Sequence, residues 1–277
     1  PGGRTGWGGI PECPDCFFWN GWHYLLFGLG LQTHYRLSRN PMGPWIEPVI
    51  NTLGTRLEAV LKTAPFGENR RIGAAWITER GEGKNNGGLL WGGNLVLREL
   101  VQQADGTLGT CTPPETALSV EASLHPTFAV LTPGASGHAA SIHLNAPQTE
   151  EVAALDGLPL RYRLTCRVSS RPGTSSFGLG LKGSGAFESK DDLIFYPERR
   201  KVSLAQNTAE PLEELQQPFD LEVVVYNDIV DVCIAGAHSL VDRLPELTGS
   251  RLFFFCINGE VTFDNITLCS LKESHGL

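Results

Sequence analysis

The sequence predicts an all-β fold in two parts. Short β-branched or aromatic runs, bounded by Gly, Pro, Asn or Asp, recur along the whole chain, while helical periodicity is scarce. A third observation divides the chain: all six tryptophans (7, 19, 22, 45, 76 and 91) lie within the first 91 residues. Rings concentrated in one half suit a carbohydrate site, where apolar sugar faces stack on them, and they also suit use as core filler.

Taken in order, the predicted strands begin with the run Phe17–Phe27, followed by Arg71–Thr78 and Leu95–Leu100. Glu58–Thr63 and Glu210–Gln217 are read as single helical turns at most. A boundary falls at Cys111-Thr112-Pro113-Pro114-Glu115, so the expected domains are residues 1–115 and 116–277. Beyond it come Leu160–Val168, Phe177–Leu181, Leu193–Tyr196, Leu221–Tyr226, Val230–Ile234, Leu252–Ile257 and Val261–Leu268. Strands spaced by about ten residues suggest a two-sheet sandwich. Leu221–Tyr226 and Leu252–Ile257 read as strands buried on both faces, and Asn258-Gly259 as a hairpin turn. Asp191-Asp192 and Glu213-Glu214 read as solvated turns.

A length of 277 residues suffices for two domains or one large β domain. The net charge of −8 argues against a nucleic-acid partner, whose phosphates need a basic surface. No apolar run reaches the roughly 18 residues of a membrane-spanning helix. Seven cysteines, mostly within apolar stretches, read as unpaired thiols and lean towards a reducing compartment. Cys13 and Cys16 form a C-x-x-C with no second pair, and the seven histidines show no ligand spacing, so neither metal nor cofactor is expected.

One compact group has an identifiable chemical role. It is Trp7-Gly8-Gly9-Ile10-Pro11-Glu12-Cys13-Pro14-Asp15, leading into an apolar strand. Three further landmarks follow it in order. They are Lys62-Thr63-Ala64 through Gly73-Ala74-Ala75-Trp76, then Trp91-Gly92-Gly93 through Asp105-Gly106-Thr107-Leu108, then the strands of Leu221–Ile234 and Arg251–Leu268. Together they resemble the later part of glycoside hydrolase family 32, the invertase, inulinase and levanase group. The resemblance implies the later blades of a five-bladed β-propeller followed by a C-terminal β-sandwich. It implies a retaining β-fructosidase-like hydrolase acting on fructose-containing saccharides, with Glu12 as general acid/base and Cys13 and Trp76 lining the sugar pocket.

The family's nucleophile lies in an Asn-Asp-Pro-Asn motif and a second Asp in Arg-Asp-Pro; neither motif occurs in the 277 residues. Arg39-Asn40-Pro41 resembles the latter but follows Glu12, in the wrong order. The segment Leu57-Glu58-Ala59-Val60-Leu61 also departs from the Phe-Tyr-Ala usual in the family. The chain is therefore expected to be a piece of a longer protein. The alternative is a non-catalytic carbohydrate-binding or structural remnant. Open strand edges further suggest self-association or a complementing chain.

Retaining chemistry needs two carboxylates about 5–5.5 Å apart, one attacking and one protonating the leaving oxygen. Apolar surroundings are expected around Glu12, to hold its proton near neutral pH. Residues three apart on a regular strand face opposite ways, so Asp15 is expected to make a structural hydrogen bond rather than act as the second carboxylate. Cys13 is read as pocket wall, since no base stands nearby to form a thiolate. Trp91 is read as packing.

Overall fold

The computed structural model describes residues 10–188 and 191–273; Trp7-Gly8-Gly9 and His275 lie outside them. Two four-stranded antiparallel sheets come first. One contains β1 (Glu12–Trp19), β2 (Trp22–Leu29), β3 (Gln32–Ser38) and β4 (Thr52–Leu53). The other contains β5 (Glu58–Phe66), β6 (Arg70–Arg80), β7 (Leu89–Gln102) and β8 (Leu108–Cys111). In both, strand order follows chain order, the meander of a propeller blade.

The run Phe17–Phe27 is a hairpin rather than one strand. Asn20 and Gly21 turn the chain with φ of 46° and 83°, the paired positive values of a two-residue turn, and Trp19 faces Trp22 across it. Glu58–Thr63 is not a helical turn but the start of β5, because pairing with β6 supplies its backbone with partners. The blades share one apolar core in which Tyr24, Leu26 and Tyr35 meet Leu57, Leu61, Ala75 and Ile77. The described tryptophans do not fill it: Trp19, Trp22 and Trp76 are half-buried, while Trp45 and Trp91 are exposed.

The remaining strands form a 13-stranded sheet folded on itself into two layers. They are β9 (Val120–Ser123), β10 (Thr127–Val130), β11 (Ala135–His138), β12 (Ser141–Asp156), β13 (Arg161–Ser170), β14 (Ser176–Gly183), β15 (Asp191–Tyr196), β16 (Lys201–Leu204), β17 (Asn207–Ala209), β18 (Phe219–Tyr226), β19 (Ile229–Ile234), β20 (His238–Arg243) and β21 (Arg251–Leu271). Asp191-Asp192 thus opens a strand instead of forming a turn.

Two long strands pass from one layer to the other. The first half of β21 pairs with β14 and the end of β12, and its second half with β13 and the start of β12. The layers close on Phe177, Phe195, Phe254 and Phe263, whose rings meet at 5.0–6.1 Å. Asn258-Gly259 is consequently no hairpin but the corner at which β21 changes layer. Glycine is required there because a Cβ on Gly259 would lie 2.5 Å from the Thr174 hydroxyl. Leu252–Cys256 is buried on both faces, as expected. Leu221–Tyr226 instead alternates buried and half-buried positions, because the partner layer covers only one side of it.

Candidate active site

The first strands of the two blades, β1 and β5, lie side by side, and both are bulged where they meet. Between the pairs Glu12↔Gly28 and Asp15↔Leu26, β1 advances three residues while β2 advances two. Cys13 absorbs the extra residue with φ 50°. On β5 the same count separates Ala59↔Trp76 from Lys62↔Ala74, and Val60 takes φ 54°. Positive φ is strained for any side chain, most of all a β-branched one, and costs on the order of 1 kcal/mol per residue. Two such residues at one junction make it the candidate site, since bulges collect where side chains must be re-aimed.

The bulge changes one expectation. Glu12 and Asp15 stand opposite residues two apart on β2, so they share a face instead of pointing opposite ways. The expected structural role of Asp15 is nevertheless what its bonds describe. Its Oδ2 accepts from the Thr63 amide at 2.8 Å and the Thr63 hydroxyl at 2.7 Å. Arg71 donates in turn to that hydroxyl at 2.7 Å and lies 3.5 Å over the Phe17 ring. Beside them the Lys62 ammonium donates to the carbonyls of Cys13 and Pro14, at 2.5 and 2.8 Å. Residues 62 and 63 of one blade thus grip residues 13–15 of the other.

Glu12 and Cys13 are both exposed. The apolar enclosure expected around Glu12 is not provided by the described residues, because the side chain sits at the open start of β1. Trp76 is placed on the second blade, half-buried, with its ring edge-on to Trp91 at 5.2 Å. Trp91 is not core packing: it is 73% exposed, with only its edge-on contact to Trp76 among the ring contacts described. Lys62 and Thr63 were legible as a landmark, but nothing local in the sequence signals that they bind β1. A separate cleft of about 490 Å³ opens between β7 and the sandwich, lined by Leu97, Arg163, Tyr226 and Asp231; Glu12 is not on its wall. Among the described residues no cluster of His, Cys, Asp and Glu could hold a metal ion.

Two meander blades followed by a two-layer sandwich define a propeller–sandwich protein. Comparison with solved structures narrows that class. A fructosyltransferase from A. japonicus superposes with a TM-score of 0.66 at 14% identity, over 95% of this chain and 56% of that one. An exo-inulinase from Aspergillus awamori superposes with a TM-score of 0.64 at 12% identity, over 96% of this chain and 58% of that one. A fructan 1-exohydrolase IIa from Cichorium intybus, solved with 1-kestose, gives a TM-score of 0.62 at 13% identity, over 95% and 62%. The chain therefore has the fold of the later blades and sandwich of glycoside hydrolase family 32 enzymes, and it spans a little over half the length of these proteins. No protein-family model matches the sequence. The comparison with curated proteins likewise finds no match.

Proposed function

We propose that this chain contributes the acid/base part of a retaining, β-fructosidase-like glycosidase, and that residues 1–115 and 116–277 are its blade and sandwich domains. Glu12 protonates the leaving oxygen of a fructoside, then deprotonates the water that releases the sugar. Cys13 and Trp76 line the pocket, and the nucleophilic carboxylate comes from outside these 277 residues. The observation that carries the reading is the strained junction of β1 and β5, where Glu12 shares a face with Asp15 and Lys62 binds the carbonyls of Cys13 and Pro14. Asp15 is unsuited to be the nucleophile, because its Oδ2 already accepts two hydrogen bonds from Thr63.

A second reading, a non-catalytic carbohydrate-binding protein, is favoured by one feature: neither Asn-Asp-Pro nor Arg-Asp-Pro occurs in the chain. The intact mass of the protein isolated from its source comes first, to give the chain length on which activity is assayed. Fructose release from sucrose, inulin and levan is then compared between that protein and its Glu12→Gln variant. A loss of about 100-fold or more is expected for removal of a general acid. Equal rates would overturn the assignment. No fructose release by either protein, together with saturable binding of 1-kestose, would favour the second reading.

A further inference from the structure

We infer that Lys62 is a positioning residue whose ammonium, by holding the carbonyls of Cys13 and Pro14, maintains the β1 bulge that turns Glu12 towards Asp15. The inference rests on the reading of Glu12 as acid/base and adds what keeps it in place. A bulge leaves its extra residue outside the ladder, so its carbonyls need partners from elsewhere. Here the partner is a single ammonium, with three donors and a flexible stem, reaching across from the neighbouring blade at 2.5 and 2.8 Å.

The second bulge delivers that ammonium. Without the extra residue at Val60, Leu61 would stand opposite Ala74; with it, Leu61 stays in the core at 2% exposure and Lys62 takes the outward place. The adjacent Thr63 secures the far end of the bulge through Asp15. Cys13 has no glycine-like freedom at φ 50°, so its conformation persists only while these neighbours hold it.

The test uses Lys62→Met, which keeps the stem and removes the charge, and Lys62→Arg, which restores donors. NMR on the chain as it stands reads the cross-strand contacts between Glu12 and Gly28. Lys62→Met is expected to lose those contacts, and Lys62→Arg to restore them. The thermal midpoint should change little, because Lys62 is exposed. Unchanged contacts in Lys62→Met would overturn the inference, and so would resonance changes spread evenly over both domains. Failure of the acid/base reading looks different: Glu12→Gln would then leave fructose release intact while Lys62→Met still altered the register.

Discussion

Arg98 of β7 donates to both carboxylate oxygens of Asp231 on β19, at 2.7 and 2.8 Å, and so ties the second blade to the sandwich. The same guanidinium binds Glu58 of β5 at 2.8 and 3.0 Å, with Arg98 and Glu58 fully buried. Further along the contact Arg80 meets Asp242 at 2.5 Å, and Arg243 donates to the Thr78 carbonyl at 2.8 Å. The blades and the sandwich are thus joined by buried charges, which tolerate little displacement because an unpaired one is costly.

Removing Arg98 should therefore destabilise the whole chain. Burial already pushes the Glu58 carboxyl above its ordinary range, and Arg98 is what opposes that push. Arg98→Met is expected to cost about 3–5 kcal/mol in chemical denaturation. Adding Glu58→Gln to that variant should return part of the loss, since the neutral amide carries no uncompensated charge. A loss below about 1 kcal/mol in Arg98→Met would refute the account.

The segment that follows β8 is held by charge. Arg70 on β6 binds Glu99 and Glu115, each at 2.6 Å, and its bond to Glu115 lowers that carboxyl to about 2. A carboxylate whose pKa is depressed on folding stabilises the fold above its unfolded value, and the contribution fades as pH falls through its folded value. The window for Glu115 therefore runs from the ordinary 4.5 down to about 2. An NMR titration should place its midpoint near the lower value in wild type and near the ordinary one in Arg70→Gln.

Thiol reactivity should sort by position. Burial pushes Cys166, Cys233 and Cys256 up to about 12, whereas Cys13 and Cys16 are exposed. A thiol-disulfide reagent at neutral pH should label Cys13 and Cys16 first, with the three buried thiols following only on unfolding. Mass mapping that finds Cys256 among the fast sites would contradict the described packing.

The outer face of the second blade should associate. Trp91 at 73% and Leu95 at 71% exposure leave an apolar surface on a blade that a propeller would cover with another blade. Sedimentation is expected to show self-association of the chain, reduced in a Leu95→Glu, Leu97→Lys double variant. A clean monomer with cooperative unfolding in the wild type would count against it.

Much of the fold is legible in the sequence, because strand formation leaves a local trace. Alternation, β-branched residues and turn-forming neighbours mark β6, β13, β15 and β19 close to their ends, and the apolar stretch Leu252–Cys256 announces a strand buried on both sides. Two of the three Asn-Gly pairs show the limit. Asn20-Gly21 makes a hairpin inside an apolar run that reads as one strand, while Asn258-Gly259 bends a continuous one. The dipeptide permits positive φ in both places; whether the chain reverses depends on which strands lie alongside.

The candidate site divides in the same way. The sequence by itself determined the all-β class, which follows from composition and neighbouring residues. Only the tertiary structure decided that Glu12 and Asp15 share a face, that Lys62 and Thr63 bind residues 13–15 from the next blade, and that Trp91 stands open. Lys62 lies 49 residues from Cys13 along the chain. The positive φ at Cys13 and Val60 is disfavoured by their own side chains, so no local preference predicts it. It is set by contacts that exist only once two blades have packed.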